Sequence, residues 1–378
     1  MLLPRAKRRA FTLTEMLVVV FIICFLFALL LPSVRRSGGA ARRNGCSNNL
    51  HNIGLAIQNH HGARNYLPAL TSTNVTTAIP GSVAAAPETA GYSWIVRILP
   101  YLEESVLYKT IATNSQGFTL PAFADTITNN GQPMSATNPH LSMTQLQILR
   151  CPAYGNVQNS TAPQYARFLG HDQNDKLSAR EPLTGCAVSN YAAITATHLA
   201  CLTATQSDGT AEPPNGIIVP PVAWKTRDDG RTTPMGINFK SITDGLSRTV
   251  MIAETREPRF SAWYDGTVNY VVGAAPNSPP PRKDLGGNGF WNSEGAGKLL
   301  SALNQGPVPN NQNFYRSSQH FANGGGTNWD WGPSSYHAGG DVAHLYADGS
   351  VTYINDDIDP ALYLHLVTRA GGEPVERP

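Results

Sequence analysis

The apolar run from Phe11 to Leu31, FTLTEMLVVVFIICFLFALLL, constrains this chain more than any other stretch. It carries one carboxylate, Glu15, and follows the basic leader Arg5-Ala6-Lys7-Arg8-Arg9. From Met16 to Leu31 no residue is charged or strongly polar. Coiled as a helix at ~1.5 Å per residue, the run reaches about 30 Å, the thickness of a bilayer's hydrocarbon core, so a membrane span is expected over 11–31. The apolar core of a removable signal peptide is shorter, about 7 to 15 residues, and holds no acid. Basic residues on the two sides balance, with Arg35, Arg36, Arg42 and Arg43 following the run, so charge bias alone does not orient it. Within such a segment Glu15 costs on the order of 2.5 kcal/mol or more unless it lies near an interface or is neutralised.

Cleavage after Ala10 would supply the neutralising group, a free amine at Phe11 on the face of the helix that carries Glu15. Arg8-Arg9-Ala10 followed by Phe11-Thr12-Leu13-Thr14-Glu15 resembles the type IV prepilin cleavage and methylation signal. The resemblance implies that a prepilin peptidase cuts between Ala10 and Phe11 and methylates the new amine. It also implies that Glu15 pairs with an amine during assembly with other pseudopilin subunits, and that the head lies outside the cytoplasmic membrane or on the cell surface. Ala10 stands where that family nearly always has Gly, and Pro32 stands where many pilins place a helix-bending proline.

Composition narrows the class of the remainder. Of 378 residues only 14% are charged, the net charge is +2, and 34 Gly with 28 Pro imply many turns. That profile fits a loop-rich extracytoplasmic head, and with no basic patch it does not fit a nucleic-acid binder. Cys24 lies in the apolar run, leaving Cys46, Cys151, Cys186 and Cys201 outside it, and four cysteines allow three pairings. An exported head permits oxidation, so at least one disulfide is expected. Cys186 with Cys201 is the pair nearest in sequence; Cys46 with Cys151 would instead staple the stalk to the head.

Between Ser33 and Gly45 three glycines weaken the helix, each by roughly 1 kcal/mol relative to Ala. Cys46, Leu50, Ile53 and Ile57 then recur at helical spacing with asparagines and Gln58 on other faces, which lays one apolar packing stripe along a stalk. The expected organisation is a leader over 1–10, a transmembrane helix over 11–31, a stalk helix over 32–63 and an α+β head over 64–378.

Further landmarks extend the resemblance nearly end to end. They are Cys46-Ser47-Asn48-Asn49-Leu50, Leu99-Pro100-Tyr101-Leu102-Glu103, Leu149-Arg150-Cys151-Pro152, Ser189-Asn190-Tyr191-Ala192, SITDGLSRTVMIAE at 241–254, SSYHAGGDVAHLYADGSVTYIND at 334–356 and TRAGGEPV at 368–375. In this order they resemble a large bacterial family of pseudopilin-like proteins whose head is a domain of unknown function. The likeness extends to the major pseudopilin of type II secretion. It implies a type IV pilin-like architecture, a long N-terminal helix packed on an antiparallel-sheet head. The family separates a His from the Asp-Gly by nine residues; here ten, Ala338 to Ala347, lie between His337 and Asp348, which predicts a register shift or a bulge.

The segments 71–90, 113–140, 153–182 and 304–333 are rich in Thr, Ser, Asn, Gly and Pro without period and are expected to be loops. Trp94, Ile95, Ile98, Leu99 and Leu102 sit at helical spacings interrupted by Pro100, which reads as a short helix, a break and a second helix from Tyr101 through about Ile111, and Thr249 to Ala253 reads as a buried strand. Val342 to Tyr346 and Ser350 to Ile354 flank Ala347-Asp348-Gly349, the signature of a hairpin with an Asp-Gly turn.

His337, His344 and Asp348 invite a metal or acid/base reading, but no HExxH spacing exists, and strand and turn geometry do not aim them at one point. A structural turn made by Asp348 and Gly349, with His337 hydrogen-bonded to a loop, is expected instead. Asp356, Asp357 and Asp359 cluster past that hairpin in an oxygen-rich segment that suits calcium, and the major type II secretion pseudopilins bind calcium near this end of the head. The EF-hand spacing is absent, and no other cofactor is indicated. Neither a phosphate loop nor GxSxG appears, so an assembly protein is expected and an enzyme is not. The alternative is a binding or hydrolytic head exported by the pilin route; only assembly needs the charge of Glu15 after export.

Overall fold

The structure is a computed structural model that describes residues 12–72, 91–118, 122, 128–129, 132–133, 139–154, 158–160, 186–198, 201, 214–226, 232–256, 261–266, 269–275, 278, 299–304, 332–372 and 377, with side chains at 28–38, 128–129, 132–133, 139–140, 223–224 and 232 not described. Ala10, Phe11 and most of the four expected loop segments lie outside the described residues. One helix, α1, runs from Leu13 to Arg64. It passes through Pro32 and the glycines at 38, 39 and 45 without interruption, so the expected membrane and stalk portions form one element. Its start is a capping box: Thr12 N–H donates to Glu15 Oε2 at 2.8 Å, and Glu15 N–H donates to Thr12 Oγ1 at 3.3 Å. Asn65, left-handed at φ 63°, ends it by donating its N–H to the His61 carbonyl.

Short helices follow at Trp94–Ile98 (α2), Ser105–Asn114 (α3) and Pro139–Ser142 (α4), with 3-10 turns at Leu99–Tyr101 and Gln147–Leu149. The break near Pro100 is therefore present as expected, although the second helix starts at Ser105 and not at Tyr101. The strands are β1 (Thr128–Asn129), β2 (Gln132–Pro133), β3 (Tyr191–Ala196), β4 (Ala223–Thr226), β5 (Thr232–Met235), β6 (Val250–Glu254), β7 (Tyr270–Val272), β8 (Asp341–Tyr346) and β9 (Val351–Asn355). A last helix, α5, spans Pro360–Val367.

Five strands form the central sheet in the order β7-β3-β6-β8-β9, while β1-β2 and β4-β5 are separate ribbons. The fold is mixed α+β. All its pairs are antiparallel except β3 with β7, so the antiparallel sheet read from the sequence carries one parallel pair at its edge. After β6 the chain crosses past Val188 and Tyr92, bridging them at Ala262 and Asp265, and comes down on the far side of β3, which fixes that direction. The β8–β9 ladder is uninterrupted; register shifts lie between β6 and β8, at Val250 and Ile252, and between β3 and β7, at Ile194 and Ala196.

The two sheet faces have different covers. Cys46, Leu50, Ile53 and Ile57, the stripe read from the sequence, are fully buried, and their helix packs on β8 and β9. Gly54 allows the closest approach, since a Cβ there would stand 2.8 Å from Leu345 and 3.5 Å from the Gly349 backbone. Gly349, at φ +88°, makes the hairpin turn, and its carbonyl accepts from His51 Nδ1 at 3.2 Å, so the turn is also a foot on the helix. On the opposite face α5 is capped by Asp359, whose Oδ1 accepts from Leu362 N–H at 2.9 Å, and Pro360 fills the first helical turn. There His344, fully buried, has its Nδ1 2.9 Å from the Val342 carbonyl and its Nε2 2.9 Å from the Tyr363 hydroxyl. A carbonyl only accepts, so Nδ1 carries the proton and Nε2 accepts from Tyr363.

Burial depresses the His344 imidazole from 6.5 to about 4, and the His60 imidazole, buried at the end of α1, likewise to about 4. In the window between 6.5 and about 4 the unfolded chain binds these protons and the folded chain does not, so stability is lost as pH falls through it. Each histidine is expected to remove on the order of 3 kcal/mol across the window. Urea midpoints measured at several pH values should show that slope, and His344→Gln, which does not titrate, should reduce it by about half, the share of one of two equal sites. A slope unchanged in the variant would refute the assignment.

Candidate functional site

The largest convergence of chemical groups lies where α1 meets the sheet. Cys46 of α1 and Cys151, which follows the 3-10 turn at Gln147–Leu149, form a disulfide with Cα atoms 4.8 Å apart. Of the two pairings weighed from the sequence, this is the one the structure contains. Cys186 and Cys201 are separate buried thiols, with burial pushing the Cys186 thiol well above its ordinary range, so the nearest-in-sequence pairing is corrected. The Cys186 carbonyl accepts from Ser160 N–H at 2.7 Å, and Cys201 lies beyond β3 with its Sγ 3.9 Å from Thr197 Oγ1.

Around the bridge the sequence landmarks meet. Asn190 Oδ1 accepts from Cys151 N–H at 3.0 Å while Asn190 Nδ2 donates to the Thr255 carbonyl at 3.2 Å, tying the Cys151 turn to the end of β6. Tyr191 Oη donates to the Cys46 carbonyl at 3.3 Å, and Asn49 Nδ2 donates to the Arg150 carbonyl at 2.8 Å. Asp244 closes the other end of the head, accepting from Gly371 N–H at 2.7 Å and Gly372 N–H at 2.9 Å. The strings that carried the family resemblance are thus the points at which distant segments are hydrogen-bonded together.

Behind the disulfide sits a buried carboxylate. Glu254, at the end of β6, is 3% exposed, and burial raises its carboxyl above the ordinary value, opposed by His337. His337 Nε2 is 3.3 Å from Glu254 Oε2 and 3.8 Å from Cys151 Sγ. The first contact is within ion-pairing distance, yet Glu254 Oε2 is out of line for a hydrogen bond and has no such partner. The His337 ring also meets Tyr353 edge-on at 5.4 Å; Tyr353 Oη donates to the Arg43 carbonyl at 2.5 Å, and the Arg43 guanidinium stacks over the Tyr353 ring at 3.9 Å.

Cys46, Cys151, Glu254 and His337 place one donor atom each within 4.8 Å of one another, the one such group among the described residues. With the two sulfurs bonded to each other, thiolate ligation is closed. What remains is an imidazole–carboxylate pair sealed behind a disulfide, which completes the joint between helix and head. Sequence reasoning gave His337 a structural role beside the Asp348–Gly349 turn, hydrogen-bonded to a loop; in the structure its ring instead belongs to this junction. Glu254 was not singled out at all, because nothing local in Val-Met-Ile-Ala-Glu distinguishes a strand-end carboxylate aimed inward from one aimed at solvent.

Of the three aspartates considered for calcium, the carboxylates of Asp356 and Asp359 have separate partners, and Asp357 bonds through its backbone. Asp356 accepts from Asn304 Nδ2 at 3.0 Å, Asp357 N–H donates to Asn355 Oδ1 at 3.2 Å, and Asp359 is the cap of α5. At the other end of the molecule Glu15 turns its carboxylate back on the first helical turn, bonding Thr12. Among the described residues no helix is long and apolar enough to cross a membrane, the described apolar side chains of this part of α1 running only from Leu13 to Phe27.

Residues 39–361 match the family described as "Protein of unknown function (DUF1559)". The chain belongs to that family. Residues 5–31 match the "Prokaryotic N-terminal methylation motif", so the head domain of the family here follows a prepilin-type leader. No curated protein and no solved structure matches the chain. The family match covers all four residues of the junction, and the motif covers Ala10, Phe11 and Glu15.

Loss of the bridge should be costly. Cys46 and Cys151 are 105 residues apart, and closing a loop of about 100 residues is worth about 4.7 kcal/mol in the chain-entropy account. The double variant Cys46→Ser, Cys151→Ser is expected to lower the denaturant midpoint by an amount of that order. Thiol titration of the unfolded, unreduced protein should find Cys24, Cys186 and Cys201 reactive; five reactive thiols would contradict the pairing.

Proposed function

We propose that this protein is a membrane-anchored pseudopilin-like subunit of a type II secretion or type IV pilus-like system. It is cleaved after Ala10 and methylated on Phe11 by a prepilin peptidase, and it presents its head on the extracytoplasmic side. The observation that carries this reading is the methylation motif over 5–31 running into one continuous helix, Leu13–Arg64, whose far half is buried in the head. Leu13, Leu17, Phe21, Phe25 and Phe27 are each more than half exposed in the isolated chain, and so much apolar surface needs a lipid bilayer or the helices of neighbouring subunits to cover it. The Cys46–Cys151 disulfide fits an oxidising compartment outside the cytoplasm.

Glu15 supplies the assembly step. In the isolated chain its carboxylate is satisfied by Thr12, next to the residue whose amine cleavage would free. In a packed bundle the same carboxylate can exchange Thr12 for the amine of an adjacent subunit, where weak screening makes the pairing strong. The protein acts by assembly and partner contact, with no catalytic step and no nucleic acid.

Intact mass of the membrane-extracted protein is expected to correspond to a chain beginning at Phe11 with one added methyl group. A chain that begins before Arg5, or at Ala41, would overturn the reading. Glu15→Gln should still insert into the membrane but should be depleted from any filament or pseudopilus, as measured by cross-linking or filament shearing.

A further inference from the structure

On the side of the head away from the disulfide, a cavity of about 880 Å³ opens between the last turn of α1, helices α2 and α3, and the β4–β5 ribbon. Its size lies within the roughly 300–1,000 Å³ of small-molecule sites. Three cations line it, Arg64, Arg97 and Lys109, and among the described residues no Asp or Glu does. On a chain whose net charge is only +2, this is a marked local concentration of one sign.

Arg97 decides what the cavity is for. Its guanidinium lies over the Phe118 ring at 4.2 Å and bonds the Tyr108 hydroxyl, while its Nε is enclosed and has no hydrogen-bond partner. No carboxylate among the described residues pairs with it, and burial pulls its pKa below the ordinary value. A guanidinium held partly out of water without a carboxylate partner is at a disadvantage, and an anion entering the cavity would offset it.

The walls are aromatic. His60 meets Tyr66 and Tyr101 edge-on at 5.7 and 6.0 Å, and Tyr108 meets Phe118 at 5.3 Å. Phe118 is held under Arg97 by a run of left-handed backbone, Gln116 at φ 51°, Gly117 at 75° and Phe118 at 66°, fastened where Phe118 N–H donates to Ser115 Oγ at 2.9 Å. Two of those three residues are not glycine, so the conformation is strained, and it spends that strain in placing a flat ring on the cavity wall.

We propose that this cavity binds a small organic carboxylate with a ring-shaped body, its oxygens paired with Arg97 and supported by Lys109, its ring laid against Tyr101 and Phe118. This site is independent of the assembly role. Arg97 offers the fork geometry that a carboxylate accepts, and the aromatic walls suit the flat face of an aromatic or sugar ring.

Titration calorimetry on the purified full chain, at fixed ionic strength with benzoate, glucuronate and inorganic phosphate as the probes, tests it. Saturable binding of at least one ring carboxylate is expected, with phosphate about tenfold weaker or more. Arg97→Met should weaken that binding about tenfold or more, the loss of one charge-assisted pair, and should leave the ligand-free melting temperature equal or higher, since a partly buried charge with no carboxylate partner among the described residues has gone. Failure of both ring carboxylates to saturate at millimolar concentration would overturn the proposal, as would phosphate binding equally well. A lower ligand-free melting temperature in Arg97→Met with binding retained would make Arg97 a structural strut and overturn it too. If that variant does not fold, exposed Lys109→Gln decides: a several-fold loss of affinity supports the site, and unchanged affinity refutes it.

Discussion

Four side chains on one stripe of α1, Cys46, Leu50, Ile53 and Ile57, are wholly removed from water by the head. At roughly 1.5–3 kcal/mol for each fully buried aliphatic side chain, this burial outweighs the polar contacts around it. It also decides where those contacts can form. With the stripe seated, His51 reaches the Gly349 carbonyl, Asn49 reaches the Arg150 carbonyl, and Cys46 is brought to Cys151. The Arg43–Asp341 ion pair at 2.8 Å, with both side chains partly exposed, adds little by comparison.

The parts of the fold that were legible are those whose signal is local. A stripe at helical spacing and an Asp-Gly pair between alternating runs each declare themselves within about a dozen residues, and both stand in the structure where they were read. Strand β3 was not legible as a strand, because all six residues of Tyr191–Ala196 are buried and no alternation of apolar with polar marks it. Helix α5 could have been found: Asp359-Pro360 ahead of an apolar run is a cap followed by a first-turn proline. Reading that aspartate as an oxygen donor for a cation obscured its use as a helix cap. The parallel placement of β7 follows from a chain path between residues 255 and 270, which no three-residue strand encodes.

The junction was illegible for a different reason. Its members come from positions 46, 151, 254 and 337, and no pattern of spacing links them. What the sequence did hold were the strings around them, whose asparagine, aspartate and glycine residues bond one distant segment to another. Asn190 is the plainest case, because one side-chain amide serves both the Cys151 turn and the end of β6. Those strings depend on one another, since each would hold an unpaired polar group without the others.

The position of the disulfide has a mechanical meaning. Were the proposed assembly to load the chain through its N-terminal helix, force would run along that helix and the head would have to be carried with it. Non-covalent seating alone would let a pull on α1 peel the stripe from β8 and β9 one turn at a time. The Cys46–Cys151 bond sits at the N-terminal end of the buried stripe, ahead of Leu50, Ile53 and Ile57, so tension arriving from the N-terminus would reach a covalent bond before it reached the packed residues. The sheet would then be shielded from shear, and the head would be towed by a tether instead of being held by adhesion.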